Sequence, residues 1–369
     1  MKKGRKKAGR PLSASRPTQT RSASAGATSN GSVTLRTLAA HLGFSVTTVS
    51  RALKHGPEVH KDTIEQVEAA ALALGYRPHL AGINLRTGRT HAVGLFLPLE
   101  RPGEINNLAS SLVEGVSASL TAVGYRVTVV PVTQSEQSLD AVKELVRARS
   151  VDGVILKNTK PQDERVKFLL ESGLPFVTYG RTELLSHHAF FDIDHEAVGA
   201  GAAKLLFDAG HEVSLMIAPP RDLTYSRLFL KGWREAHAAF DRPFDESNVI
   251  FSAVTPNSGL EIAKNIFERG ASATAAFVGS EEAALGFVAG AARAGVRIGS
   301  DFGVVTFGGS QLHQFVNPPL SAFKYSHFET GKRLADLLMR AIAGEDTSAL
   351  NEIVEAQFVD NQSHLVRRN

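Results

Sequence analysis

The 369 residues include no cysteine, one tryptophan and three methionines. The missing cysteine excludes disulfides, thiolate zinc sites, iron–sulfur clusters and thiol nucleophiles, and it suits a reducing compartment. No apolar run approaches the ~18 residues that span a bilayer. No hydrophobic segment follows the basic N-terminus as it does in a secretory signal. The acid-free front also suits a transit peptide in composition, yet it has no apolar stripe at helical spacing. A cytoplasmic protein without membrane contact is the expectation. Acid is absent altogether from residues 1–32, which hold eight Lys and Arg. Residues 33–91 hold seven basic and four acidic side chains, and residues 92–369 hold 26 and 33. The formal net charge of +4 is therefore +8, +3 and −7 in sequence order. A basic front on an acidic body suits an anionic partner that meets the front alone.

Residues 1–32 are Lys, Arg, Ser, Ala, Thr and Gly with Leu12 as the single large aliphatic. Such a segment cannot offset its ordering entropy, so a disordered tail is predicted. Lys6-Lys7-Ala8-Gly9-Arg10-Pro11 fits either an AT-hook, whose arginine lies in the minor groove, or a plainly solvated basic arm. From residue 33 the texture changes. Leu35 to Leu42 has helical apolar spacing, with Thr34 as N-cap and Gly43 at its end. Ser45 caps a second short helix, Val46 to Leu53, with Val49 and Leu53 inward. A third helix, about Lys61 to Leu74, turns Ile64, Val67 and Leu74 inward. Two short helices across a tight Gly turn make a helix-turn-helix. Thr47, Thr48, Ser50 and Arg51 are left outward, all able to bond bases or phosphates. Residues 77–91 read as a short basic linker able to form one or two helical turns.

Residues 92–369 alternate strand-like and helical runs. Strands are expected at Ala92–Leu97, Val127–Val132, Gly153–Leu156, Phe176–Tyr179, Phe190–Ile193, Val213–Ala218, Ala275–Val278 and Val304–Phe307. Regular β–α alternation predicts parallel sheets covered by helices on both faces. About 275 residues is large for one such sheet, so two lobes are expected. Ligands of open α/β sheets bind at the carboxyl ends of strands, which makes the space between the lobes the natural pocket. The predicted fold class is thus a small all-α head joined to a two-lobed, doubly wound α/β body.

Several ordered motifs identify a resemblance. Residues 33–35, Ser45-Val46-Thr47-Thr48-Val49-Ser50-Arg51-Ala52-Leu53, Gly75-Tyr76-Arg77-Pro78 and Leu85-Arg86-Thr87-Gly88 resemble the LacI/GalR family of bacterial transcription regulators. The likeness continues through Val151-Asp152-Gly153-Val154-Ile155, Gly210-His211, Arg227 with Gly232-Trp233, Ala284-Leu285-Gly286 and Asn317-Pro318-Pro319-Leu320, covering about residues 33–366. The resemblance implies a homodimer that binds a double-stranded DNA operator through the head, most often as a repressor of a carbohydrate operon. It implies no enzymatic activity and no cofactor, and a body like the type I periplasmic sugar-binding proteins. The DNA-binding residues it implies, with those of the outward face, are Thr34, Ser45, Val46, Thr47, Thr48, Ser50, Arg51, His79 and Leu85. Leu85 would wedge into the central minor-groove step. A small effector between the lobes would shift the presentation of the two heads. No heptad helix follows Leu365, so a dimer rather than a tetramer is expected.

Departures from the family pattern qualify this reading. Gly82 stands where Ala is usual in the hinge, a cost of about 1 kcal/mol in helix propensity. Ile83 and His79 also depart, which predicts a hinge helix dependent on DNA. Glu58 would repel phosphate unless it caps a helix or reads a cytosine. In the pocket, Ser280-Glu281 replaces Asn-Asp, Thr306-Phe307-Gly308-Gly309 replaces Gly-Tyr-Asp-Asp, and Gly180 precedes Arg181 where Asp is common. The expectation is a pocket that has lost carboxylates and gained cations. Candidate effector residues are Asn107, Lys157, Arg181, Arg227, Ser280 and His327. Three readings stay open: an anionic sugar acid or phosphate clamped by Lys157, Arg181 or Arg227, a neutral sugar held by Ser280, Asn107 and water, and a non-sugar ligand or no effector at all.

Other motifs carry less. Gly199-Ala200-Gly201-Ala202-Ala203-Lys204 lies within a helical pattern and reads as close packing, not a phosphate loop. His187-His188 reads as a solvated pair, with no ligand spacing that would imply a metal. Asp192 and Asp194 lack a partner nucleophile, and Asp194 reads as a lobe-crossover or pocket residue. Gly308-Gly309-Ser310 lacks the nucleophile-elbow frame.

Overall fold

The computed structural model describes residues 33–76, 88–98, 107–132, 135–270 and 272–366. The basic tail with Lys6–Pro11, and His79, Gly82, Ile83 and Leu85 in the linker, lie outside the described residues. The head, within residues 1–83, and the body, residues 84–369, form two separate compact units.

The head comprises α1 (Leu35–Leu42), α2 (Val46–Ala52) and α3 (Lys61–Ala73). The first two starts are each set by a hydroxyl. Thr34 caps α1 in a reciprocal capping box with Thr37, a device of about 0.5–2 kcal/mol. Gly43 ends α1 at φ 69°, a left-handed conformation that glycine takes at no steric cost. Ser45 Oγ then accepts from Thr48 N at 3.0 Å and begins α2. Leu38, Ala39, Val49, Ala52, Val67 and Ala71 form the buried centre, with Ile64 and Leu74 packed against it.

The body contains two six-stranded sheets. The first has the order β11-β5-β4-β3-β1-β2, with β1 (Ala92–Pro98), β2 (Arg126–Val132), β3 (Gly153–Lys157), β4 (Phe176–Tyr179), β5 (Ala189–Ile193) and β11 (Asn351–Val354). All of its pairings are parallel. The second has the order β12-β10-β9-β8-β6-β7, with β6 (Ser214–Ala218), β7 (Val249–Phe251), β8 (Ala275–Val278), β9 (Gly303–Gly308), β10 (Ser321–Lys324) and β12 (Gln357–Val359). Only β12 runs antiparallel. All eight strands expected from sequence are present, whereas the short strands β7, β10, β11 and β12 are additional to them.

Helices between strands are α4 (Asn107–Ala122), α5 (Ser135–Ala148), α6 (Glu164–Ser172), α7 (His195–Asp208), α8 (Thr224–Ala239), α9 (Pro256–Arg269), α10 (Glu281–Arg293) and α11 (His327–Ile342). The chain passes between the sheets three times: after β5, after β10 and after β11. Asp194 sits at the first crossing and caps α7, its Oδ1 accepting from Ala197 N at 3.0 Å.

Three helix pairs pack backbone to backbone through reciprocal glycines. Gly115 and Gly331 join α4 to α11, Gly199 and Gly232 join α7 to α8, and Gly259 and Gly286 join α9 to α10. A Cβ at any of these six positions would overlap a carbonyl oxygen of the facing helix. Gly199 therefore has the packing role expected of it. Trp233, beside Gly232, is a fully enclosed core residue and stacks 6.0 Å from Phe277.

The glycine pairs predict a position-specific cost. Gly232→Ala must push α8 off the Glu196 carbonyl and should destabilise the body by about 1–3 kcal/mol or more. Gly94→Ala, where a Cβ would meet the Leu145 and Val154 side chains at 3.1 and 3.2 Å, should cost less. Thermal denaturation of the two variants decides; equal losses would contradict the backbone-contact argument.

Candidate functional site

The head presents one polar face. Val46, Thr47 and Arg51 are exposed and Ser50 is half-buried, while Val49 and Ala52 hold the opposite side of α2 in the core. Thr34 and Ser45 are exposed, but their hydroxyls serve the helix starts. Thr48 is tied into the same cap, with its Oγ1 2.8 Å from Ser45 Oγ. Glu58 neither caps a helix nor stands alone, since its Oε1 lies 3.3 Å from Arg51 Nε.

A cavity lies in the body at the carboxyl ends of β3, β4, β5, β8 and β9, beside the first and second crossings. It holds about 790 Å3 of empty space, its open mouth included. Lys157, Ser280 and His327 line it, as do Asp192, His195, Glu281 and Glu282. Tyr179, Tyr225, Phe307 and Tyr325 supply aromatic walls, with the Phe307 and Tyr325 rings stacked 5.0 Å apart. Asn107 begins α4, and its side chain lies outside the described residues.

Arg181 and Arg227 are not among the lining residues. Arg181 Nε is 2.7 Å from Asp192 Oδ2, behind the cavity wall. Arg227, on α8, reaches across to Glu183 at 3.2 Å. Lys160 and Asp222 make a second bridge at 2.9 Å, and Thr224 N donates to Thr159 O at 2.9 Å. These three contacts join the lobe of β3 and β4 to the lobe of β6 and α8. Of the three candidate cations only Lys157 lines the cavity: Arg181 is engaged by Asp192, which is itself a lining residue, and Arg227 by Glu183, which is not.

The expected loss of carboxylates does not hold, because Asp192, Glu281 and Glu282 all line the cavity. The carboxylate absent at residue 308 arrives instead from the start of α10. A Cβ on Gly308 would overlap the Glu281 side chain, and one on Gly309 would overlap the His327 ring. The two glycines vacate the space that Glu281 and His327 fill. Sequence comparison position by position misses such an exchange, although the Ser280-Glu281 and Gly308-Gly309 departures together signal it.

Each buried carboxylate has protein partners, whereas Arg181 Nη2, His195 Nδ1 and His313 Nε2 are buried without a hydrogen bond. Glu281, 1% exposed, accepts from Ser310 N (3.0 Å), His313 N (2.9 Å) and His313 Nδ1 (2.8 Å). Burial pushes Asp192 upward, but the nearby His195 and Arg181 charges and the hydrogen bond from Arg181 Nε outweigh it and hold the carboxyl below the usual range. Burial raises Glu282, opposed by its hydrogen bond from Ser280 and the nearby Lys157 charge. Burial, with the Lys157 charge, pushes His327 down to about 3, so its imidazole is neutral. Its Nε2 lies 3.2 Å from Tyr325 Oη, and its Nδ1 is buried with no hydrogen-bond partner.

His188 is buried rather than solvated. Its ring stacks 5.6 Å from Phe176, and Nε2 lies 3.1 Å from Thr178 Oγ1. Burial also lowers His188, His211, His237 and His364. Among the described residues no cluster of three or more His, Cys, Asp or Glu is arranged to hold a metal, and no helix is long and apolar enough to cross a membrane.

Comparison with known proteins adds independent findings. Residues 34–79 match the model for bacterial regulatory proteins of the lacI family, and residues 203–364 match a periplasmic binding protein-like domain. The HTH-type transcriptional regulator AglR of Rhizobium meliloti is 28% identical over 333 residues, covering 89% of this chain and 93% of that protein. The regulator CelR of Thermobifida fusca is 28% identical over 333 residues, covering 89% and 98%. Among solved structures, a CelR–cellobiose complex aligns with a TM-score of 0.67 at 26% identity, over 89% of this chain and 99% of that one. A lac repressor dimer bound to operator and the anti-inducer ONPF aligns at 0.80 with 23% identity, over 91% and 100%, a likeness of fold.

The cavity generates two predictions. Gly308→Ala should displace Glu281 from the 310–313 loop and cost about 1–3 kcal/mol, read by thermal denaturation; an unchanged midpoint would contradict the exchange. The buried histidines take up protons more readily unfolded than folded. Their contribution is complete above about pH 6.5 and is lost as pH falls toward each lowered value, down to about 3 for His327. The melting temperature should therefore drop between pH 7 and 5, and His327→Phe should flatten part of that slope.

Proposed function

This chain belongs to the LacI family of bacterial regulatory proteins, with a periplasmic-binding-protein-like effector domain, and on that premise we propose a specific role for it. It is a DNA-binding transcriptional regulator, of a family of regulators rather than enzymes. The proposed role is repression of a carbohydrate catabolic operon, by a homodimer acting on cytoplasmic DNA, controlled by a neutral sugar held between the lobes.

One observation carries the effector assignment: the charges around the cavity are paired within the protein. Asp192 is met by Arg181 and His195, Glu281 by His313, and Glu282 by Ser280 and the Lys157 charge. A charged ligand would have to break one of these pairs, at a cost of several kcal/mol where burial is deep. A neutral polyhydroxylated ring needs only hydrogen bonds and apolar contact. Ser280 and the tyrosines offer the first, and Phe307 with Tyr325 the second. The sugar in the CelR–cellobiose structure supports the same reading.

The effector test is a thermal-shift panel of neutral sugars, sugar acids and sugar phosphates. A true effector at a hundredfold its Kd stabilises by about 2.7 kcal/mol. Neutral sugars should raise the melting temperature; stabilisation confined to the anionic compounds would overturn the assignment. In parallel, the full chain should bind duplex DNA and a chain lacking residues 1–91 should not. Intact binding after that deletion would remove the head from the function.

A further inference from the structure

The loop between α2 and α3 carries an acid onto the face that meets DNA. Lys54 N and Gly56 N both donate to Arg51 O at 3.0 Å, and Val59 N donates to Gly56 O at 3.0 Å. The chain thereby doubles back over the last turn of α2 and sets Glu58 Oε1 3.3 Å from Arg51 Nε. Gly56 leaves the room: a Cβ there would lie 3.0 Å from Glu58 Oε2 and 3.2 Å from its carboxyl carbon. Both side chains stay open to solvent, Arg51 at 58% and Glu58 at 49%.

Stability is a weak reason for this pair, since exposed ion pairs contribute about 0–1 kcal/mol. For DNA affinity it is adverse, because a carboxylate beside the duplex repels phosphates. What the contact does is selective. The approach is to Nε, at 3.3 Å, on a side chain that is 58% exposed, and the fork of an arginine can bind guanine O6 and N7 together.

We propose that Glu58 is a positioning residue for Arg51. From the Nε side it fixes the guanidinium plane, so that the remaining N–H groups face a base edge, and its charge keeps the arginine from settling on the phosphates of any sequence. The DNA so favoured carries a guanine opposite Arg51. Glu58 thus trades affinity for sequence discrimination. The inference rests on the DNA-reading role of the head.

The test uses the full-length protein. Wild type first selects its site from a pool of random-sequence duplexes. Dissociation constants for the selected duplex and a shuffled one are then measured across salt for wild type, Glu58→Gln, Gly56→Ala, Arg51→Ala and the Arg51→Ala, Glu58→Gln double variant. Arg51→Ala should lose about five- to 150-fold on the selected duplex and little on the shuffled one. Glu58→Gln should bind the shuffled duplex about three- to fivefold tighter, with a salt slope steeper by about 0.9, and should gain much less on the selected one. The ratio of the two constants then falls. In the Arg51→Ala background that fall disappears. Gly56→Ala keeps the net charge but displaces the carboxylate, and it too should lower the ratio. Equal tightening on both duplexes by Glu58→Gln, in both backgrounds, with no effect of Gly56→Ala, would reduce Glu58 to bare net charge and overturn the proposal. Failure of wild type to select any sequence would instead overturn the reading role of the head, and it appears in the wild-type arm alone.

Discussion

A carboxylate taken out of water must be met by donors, and three such carboxylates organise the cleft. Asp163, 3% exposed, accepts from Arg165 Nε at 2.9 Å, from Arg165 N at 3.0 Å and from Lys160 N at 3.1 Å. That fixes the turn after β3 from which Lys160 reaches Asp222 of the other lobe. Asp192 draws Arg181 back from the cavity and holds His195 at the first crossing. Glu281 gathers the backbone and side chain of the 310–313 loop beneath the cavity. Each acid orders a different segment of loop, and together those segments bound the space in which a ligand must fit.

The parts of this arrangement legible in sequence are those fixed by near neighbours. Thr34, Gly43 and Ser45 announce helix ends because a cap needs only three or four residues of chain. The eight strands expected from sequence announce themselves by apolar runs. β4 and β8 are as short as β10 and β11 but are buried throughout, whereas β7, β10, β11 and β12 are partly exposed and, β7 apart, break the apolar pattern, and β11 and β12 are defined mainly by the partners they find. The lining of the cavity was legible for Lys157, Ser280 and His327, which sit at strand ends or beside them. It was not legible for Arg181 and Arg227. Whether a cation faces a ligand or an acid depends on what tertiary folding places opposite it, and Glu183 is 44 residues distant from Arg227 in sequence.

The same limit explains why the pocket reads as carboxylate-poor in sequence and carboxylate-bearing in space. Gly308 signals a lost side chain only when its own position is considered. The overlap between a Cβ at Gly308 and the Glu281 side chain shows that the group is supplied from α10 instead. Packing density makes such exchanges reciprocal: an enlarged side chain on one element demands a vacated position on the facing one. Gly309 and His327 obey the same rule at the second crossing. The reciprocal glycines of the three helix pairs obey it between backbones.

Charge pairs in the body fall into two classes by depth, and the two respond differently to solvent. Asp192–Arg181, with a carboxylate 1% exposed, lies deep enough that salt screens it little, and the buried Glu281–His313 contact lies deeper still. Arg227–Glu183 and Lys160–Asp222, at the mouth, are open to solvent and are screened readily. Ionic strength therefore acts on the contacts that hold the lobes together and leaves the charge pattern of the cavity intact. The residues that bridge the lobes and the residues that line the cavity are thus two distinct sets. The crossing at Tyr325 to His327 is where cavity and lobe connection meet: His327 turns a neutral imidazole toward the cavity and begins α11, which packs on the lobe opposite to β10. His327 thus belongs at once to the cavity lining and to a crossing between the lobes.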